Sequence, residues 1–189
     1  MGTVAFMETV PSVAVICTRF RLDEKARAFS REGIGYQEFI EALLANELPD
    51  AAIDFIAHAL PARKAVWWGC LCLQHACGEK LTPTDKTAAA AAVKWVLEPT
   101  DENRAATKAP AEEAGYASPA GSLARAANWT GGSLGPPEMP VVPPGRFMPA
   151  TAAATAIKFA SVKVEPIKIA GTKRLFVDLG IEVLEGRHL

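Results

Sequence analysis

The stretch PARKAVWWGCLCLQHACG, from Pro61 to Gly78, decides the fold that this sequence predicts. From Ala65 to Leu73 every residue is apolar or Gly, so a helix formed here has no polar face to turn towards water. A helix that is apolar all round is buried. Trp67 and Trp68 lie about 100° apart on such a helix, so other segments have to pack on both of its sides. Because a bilayer takes about 20 apolar residues to cross, the stretch predicts the buried central helix of a soluble helical domain.

The composition is that of an ordinary folded protein. The 189 residues are 50% hydrophobic and 22% charged, which suits one domain with a sizeable core. The 20 basic and 21 acidic residues are scattered and give a net charge of −1, so binding to nucleic acid or to a membrane is not predicted. The apolar N-terminus has no Lys or Arg before its hydrophobic part, so we expect no secretory signal and a cytoplasmic protein.

Helix-start signals recur along the chain. A hydroxyl side chain stands where an N-cap is needed at Thr82, Thr100 and Ser118, and in two of these cases a proline follows it. Further helices are predicted from apolar periodicity. Besides the central one, the predicted helices are Leu22–Arg31, Tyr36–Ala45, Ala51–Leu60 with Asp50 as its cap, Pro83–Leu97, Asp101–Ala114 kinked or divided at Pro110, Pro119–Trp129, Ala150–Val162 and Thr172–Glu185. The sequence therefore predicts an all-α, single-domain, irregular bundle of about seven to eight helices around the buried central helix, with a proline-rich strap.

Two segments have a less certain pattern. Residues 1–17 are predicted to form an N-terminal arm, strand-like around Val10–Ile16, before a single helical domain at residues 18–189. The segment Val162–Ile169 alternates apolar and charged residues, which is a strand pattern, although Pro166 argues against a central strand. A joint between two helices at Glu165-Pro166 is the favoured interpretation.

Residues 130–149, TGGSLGPPEMPVVPPGRFMP, differ in kind from the rest of the domain. We call this segment the strap. It holds six prolines and four glycines in 20 residues, so no regular element runs through it. Its apolar residues predict an ordered, partly polyproline-like segment packed on the helices. Long ordered loops are often functional.

The cysteine-rich end of the central helix is the first candidate for chemistry. Cys70, Cys72, His75 and Cys77 offer zinc ligands, but on one helix they spread round the cylinder and do not converge on one ion. Buried free thiols, as also expected at Cys17, are favoured, and neither a metal nor a disulfide framework is predicted.

Two further patterns resemble catalytic ones. Residues 131–135 match the G-x-S-x-G nucleophile elbow around Ser133, with Asp178 and His188 following in the right order. That elbow needs a strand before the serine and a helix after it, whereas here a helix is predicted before it and two prolines follow. His58 lies one turn after Asp54, which suits a base–carboxylate pair, and a structural histidine at the edge of a core is the favoured alternative. No catalytic residue and no cofactor is predicted.

The remaining signal favours a protein partner. Trp129 and the strap, with Arg125 and Arg146 near them in sequence, form an apolar stretch bordered by charge, and Trp and Arg are enriched as anchors of protein interfaces. In the alternative interpretation, Trp129 only buries the strap against the bundle. The predicted partner-binding residues are Trp129, Arg125, Arg146, Met139 and Phe147.

The order of these features resembles an uncharacterised bacterial family of helical proteins, classed as a domain of unknown function. The resemblance covers Thr18–Gly186. It rests on Leu60–Trp68 (LPARKAVWW), Trp95-Val96 with Pro99 and Arg104, Ser118-Pro119-Ala120, and Trp129–Leu134 (WTGGSL) with Pro136-Pro137. The resemblance implies an accessory or adaptor role near type VI secretion and supplies no catalytic residues.

Together these observations predict a non-catalytic, cytoplasmic scaffold or adaptor whose partner is another protein. A small hydrolase using Ser133 is one alternative. A chaperone or immunity protein that neutralises one effector is another.

Overall fold

The computed structural model describes residues 10–136 and 138–188, and all regular structure in these two ranges is helical. In chain order the α-helices are α1 Val13–Cys17, α2 Glu24–Arg27, α3 Tyr36–Ala45, α4 Pro49–Ala59, α5 Ala62–Cys77, α6 Pro83–Leu97, α7 Asp101–Ala106, α8 Lys108–Ala114, α9 Pro119–Asn128, α10 Met148–Ser161 and α11 Ile169–Leu184. Short 3-10 turns lie at Gly78–Lys80 and Pro166–Lys168. The predicted all-α class is confirmed. None of these helices is long and apolar enough to cross a membrane.

Helix α5 lies at the centre of the bundle, as predicted. It packs against α4, α6, α9, α10 and α11. Trp68 is completely buried, and its Nε1 donates a hydrogen bond to the backbone oxygen of Phe176 at 2.8 Å. Trp67 is only partly buried, and its Nε1 has no hydrogen-bond partner among the described residues. The burial expected of both indoles therefore holds in full for Trp68 alone.

Helix α9 is a second central element, and its burial was not expected. Every residue from Pro119 to Ala127 is buried, although the helix contains few large side chains. Its small residues allow close approach, since a Cβ placed at Gly121 would lie 3.2 Å from the backbone oxygen of Ala111 in α8. The alanine-rich α10 packs against α9 and α5. Small residues, rather than large apolar ones, bring these helices together.

The predicted helix starts are mostly confirmed. Thr82, Thr100 and Ser118 each accept a hydrogen bond at 3.1 Å from a backbone N–H in the first turn of α6, α7 and α9. The break expected from Pro110 is also present, since α7 ends at Ala106 and α8 begins at Lys108. Proline has no N–H to bond the carbonyl four residues earlier, so the hydrogen-bond ladder stops there. Asp50 was wrong as a cap, because α4 already begins at Pro49.

The two segments of less certain pattern are both helical in part. The strand-like interpretation of Val10–Ile16 is wrong, because Ser12 caps α1 and the spacing of Val13 and Ile16 buries both on one helical face. Residues 1–9 of the predicted arm lie outside the described residues. Within Val162–Ile169 the joint between helices is confirmed, with a turn followed by the 3-10 helix that begins at Pro166.

Candidate functional site

The middle of the strap is a closed loop whose apolar side chains face solvent. Leu134 N–H donates to the backbone oxygen of Val142 at 2.8 Å, and the Ser133 hydroxyl accepts hydrogen bonds from the N–H groups of Gly135 and Val142, both at 3.1 Å. We call Leu134, Met139, Val141 and Val142 the strap tip; they are 45%, 60%, 73% and 52% exposed. The expectation that the apolar residues of the strap pack on the helices is therefore wrong for the tip.

The first residues of the strap are fixed by Arg104 from α7. Its Nη1 donates to the backbone oxygens of Gly131 at 3.0 Å and Asn128 at 3.4 Å, and the Asn128 side chain donates back to the Arg104 carbonyl at 3.1 Å. Gly132 has a φ of +76°, and a Cβ there would lie 2.5 Å from Arg104 Nη1. The adjacent glycines therefore provide both the left-handed turn and the space that the guanidinium needs.

Arg125 and Trp129 lie together at the C-terminal end of α9, as the sequence predicts. The guanidinium carbon of Arg125 lies 3.6 Å from the centroid of the Tyr116 ring and 5.7 Å from that of Trp129. Arg125 is only 8% exposed, and burial lowers its pKa. A pocket of about 220 Å³ surrounds this group and reaches Leu134 of the strap tip. We call Arg125, Tyr116 and Trp129 the arginine–aromatic site.

Arg146 and Phe147 form a separate cluster at the start of α10. The guanidinium carbons of Arg19 and Arg146 lie 5.3 Å and 5.4 Å from the centroid of the Phe147 ring. Phe147 is partly buried and lies 6.4 Å from the His58 ring, centroid to centroid. The predicted partner-binding residues are thus divided: Arg125 and Trp129 share one site, Arg146 and Phe147 another, and Met139 belongs to the strap tip.

His58 is a structural histidine in this fold. It is 3% exposed, its Nδ1 donates to the backbone oxygen of Asp54 at 2.7 Å, and its Nε2 lies 3.3 Å from the Thr151 hydroxyl. The Asp54 carboxylate instead binds Lys158 Nζ at 2.7 Å, so the base–carboxylate pair is wrong. Burial lowers the pKa of His58 because the charged imidazolium loses its water.

The three side chains of the elbow pattern have different partners. The Ser133 hydroxyl holds the strap closed, His188 Nε2 lies 2.8 Å from the Glu182 carboxylate, and Asp178 bonds Arg174 at 3.2 Å. A nucleophile needs its base within hydrogen-bond reach. The described contacts do not assemble such a triad.

The cysteines of α5 are buried thiols. Burial raises the pKa of Cys70 to about 12 and that of Cys72 well above its usual value. Cys77 is partly buried, and His75 is exposed with its ring edge towards Phe176. No group of three His, Cys, Asp or Glu side chains is placed to hold a metal ion within the described ranges.

Sequence reasoning missed Tyr116 and Arg104, which position the predicted site. Tyr116 lies in the turn before α9, where the Ser122 hydroxyl donates to its backbone oxygen at 3.2 Å and its ring lies against Arg125. No periodic pattern marks such a residue. Arg104 did carry a usable signal, since glycines commonly follow a helix end and an arginine side chain can bond the last carbonyls of a helix.

Comparison with known families matches residues 39–184 to a model described as a family of unknown function, DUF6931. The chain belongs to this family, so the predicted membership of an uncharacterised domain family is confirmed. No curated protein and no solved structure matches the chain. The matched span includes the arginine–aromatic site and the whole strap.

Proposed function

We propose that this member of the DUF6931 family is a non-catalytic protein-binding protein, a scaffold or adaptor, whose partner docks on the strap tip beside Trp129. One observation carries the proposal: the strap tip is ordered by its own hydrogen bonds and yet leaves four apolar side chains exposed. Contiguous exposed apolar surface on a folded protein is typical of an interaction site.

The loop is not needed to connect α9 with α10. Residues 134 and 142 are joined by a backbone hydrogen bond, so the chain leaves the bundle and returns to nearly the same point. Loops of this Ω type are frequently functional. Exposed valine and methionine side chains do not improve the stability of such a loop, because they bury little surface, and this favours a role in binding.

The finer part of the proposal comes from the sequence resemblance. We propose that the protein works in the bacterial cytoplasm as an accessory of type VI secretion. Quantitative capture with a tagged chain from the native host is expected to enrich components of that apparatus or its cargo. Capture without such enrichment would remove this assignment and leave the binding role to be tested separately.

Paired surface substitutions test the binding role. Met139→Ser and Val141→Ser remove exposed apolar groups from the strap tip, and Ile167→Ser removes an 89% exposed apolar group from the 3-10 turn before α11. We expect each of the two strap variants to lower the affinity for the captured partner about fivefold or more, because interface anchors contribute more than about 1 kcal/mol each. The Ile167 variant should bind like the wild type.

Far-UV circular dichroism serves as the control for folding. Because all three side chains are exposed, their replacement should leave the helix content unchanged. If both strap variants recover the partner as fully as Ile167→Ser does, the proposed docking surface is wrong.

A further inference from the structure

The side chain of Arg125 is mostly buried, and its guanidinium makes almost no hydrogen bonds with the described residues. An arginine carries five N–H donors. Among residues 10–136 and 138–188, only Nη2 of Arg125 has an acceptor, the backbone oxygen of Ala111 at 3.5 Å, which is at the limit of a hydrogen bond. None of the ion pairs among residues 10–136 and 138–188 includes Arg125.

Such burial is unfavourable unless something compensates for the lost water. The ring faces of Tyr116 and Trp129 stabilise the cation in part. They cannot accept the in-plane N–H groups, whose natural partners are oxygen atoms. The remaining donors are accessible at the pocket and therefore stay available to an acceptor from outside the chain, water or a partner's side chain.

The pocket around Arg125 has the size and charge for one acidic side chain. Its volume is about 220 Å³, too small for a helix or strand and enough for a single side chain. Lys108 and Glu112 also line it, so with Arg125 the formal charge is two positive against one negative. Leu134 connects this pocket to the strap tip.

We propose that this pocket binds the carboxylate of an Asp or Glu side chain in an internal segment of the partner, while apolar residues next to it cover the strap tip. This inference rests on the proposed function and names the chemistry of its partner. The fork of a guanidinium matches both oxygens of a carboxylate. Glu112 disfavours a doubly charged phosphate in the same place.

Glu112 gives the inference a distinctive consequence. Its exposed carboxylate lines the pocket and is close enough to Arg125 to favour the charged guanidinium. An incoming carboxylate is repelled by it, so Glu112→Gln is expected to tighten binding of an acidic peptide.

Selection from a displayed library of random peptides provides the test, with the wild-type chain and Arg125→Met as parallel baits. Methionine keeps an unbranched apolar side chain beside the two rings, and Arg125→Lys retains the charge if methionine disturbs folding. The wild type is expected to enrich Asp or Glu flanked by apolar residues, and Arg125→Met is expected to lose that enrichment.

The enriched peptide is then titrated beside its Asn or Gln counterpart. Replacing the acid should weaken binding to the wild type about tenfold or more, as expected for a hydrogen-bonded charge, and should change nothing on Arg125→Met. Glu112→Gln should tighten the acidic peptide and leave its amide counterpart unaffected. The Nε–H resonance of Arg125 should move only with the acidic peptide.

Each of the other outcomes overturns a defined part of the two proposals. If the wild type does not enrich Asp or Glu, or if Arg125→Met enriches them equally, the carboxylate site is wrong. If the selected peptides depend on Val141 but not on Arg125, the docking surface remains and only this inference falls. Peptides that depend on neither residue overturn both. If acetate or inorganic phosphate moves the Arg125 resonance as fully as the peptide does, the ligand is a free anion and the partner assignment is wrong.

Discussion

Replacing Gly180 by alanine should destabilise the protein, although the same change in a helix usually stabilises. Gly180 lies in α11 against the indole of Trp68, where an added Cβ would be 2.7 Å from Cζ2 and 2.8 Å from Cε2 of the ring. The Cγ2 atom of Ile56 would lie 3.0 Å away on another side. The indole cannot turn aside freely, because its Nε1 is bonded to Phe176 one turn earlier in α11.

The magnitude follows from two opposing effects. Alanine in place of glycine stabilises a helix interior by about 1 kcal/mol. Over-packing a tight core costs about 1–3 kcal/mol, and loss of the Trp68 hydrogen bond would add about 1 kcal/mol. We expect a net loss of about 1–3 kcal/mol for Gly180→Ala. Gly171→Ala in the same helix, with open space around its Cβ, should gain up to about 1 kcal/mol.

Urea denaturation followed by far-UV circular dichroism measures both variants. In a thermal melt of the same variants, each kcal/mol of stability should move the melting temperature by roughly 2–4 °C for a domain of this size. Trp68→Phe provides a further check, since the smaller ring leaves space for the added methyl group. In that background Gly180→Ala should cost much less than it does alone. A Gly180→Ala protein as stable as the Gly171→Ala protein would refute the reasoning.

Three other predictions concern the strap, one histidine and the thiols. Arg104→Met should raise hydrogen exchange at the strap-tip amides and lower the free energy of unfolding by about 1–3 kcal/mol. Arg174→Met, which removes the exposed ion pair with Asp178, is the control and should change the free energy of unfolding in urea by less than about 0.5 kcal/mol. Because the pKa of His58 is lowered in the fold, the unfolded chain binds more protons than the folded one, so the free energy of unfolding should fall as the pH drops below about 6.5. His58→Gln should reduce the slope of unfolding free energy against pH. Equal slopes in the two proteins would contradict this prediction. Iodoacetamide should leave Cys70 and Cys72 unmodified in the native state and modify them in urea, as mass spectrometry of each form can show.

The helices were predictable because their signals are local. The hydroxyl of Thr82 or Ser118 and the proline after it determine a helix start without reference to the rest of the chain. Pro110 divides a helix for an equally local reason, its missing N–H. The apolar run around Trp68 had to be buried somewhere, and a central helix was the simplest solution.

The failures concern which surfaces meet. Helix α9 consists mostly of small residues, and its burial from Pro119 to Ala127 depends on the close approach of α6, α8 and α10, which no pattern within α9 specifies. The valines at 141 and 142 were expected to pack because they are apolar, but the hydrogen bonds that close the strap turn them outward. Trp129 and Arg125 were predicted to act together because they are near each other in sequence, whereas Tyr116 reaches them only through tertiary structure.

Arg104 and Arg125 both lie near the C-terminal end of α9 and differ in their hydrogen bonds. The Arg104 side chain is 16% exposed and its donors have three acceptors, on Asp101, Asn128 and Gly131. Arg125 is buried as well and has one acceptor at 3.5 Å. An apolar side chain of similar length would fill the space between two aromatic rings without the cost of burying a charge. Within the described ranges Arg125 therefore, unlike Arg104, keeps most of its donors free at the pocket, and this contrast supports a carboxylate from a partner as their acceptor.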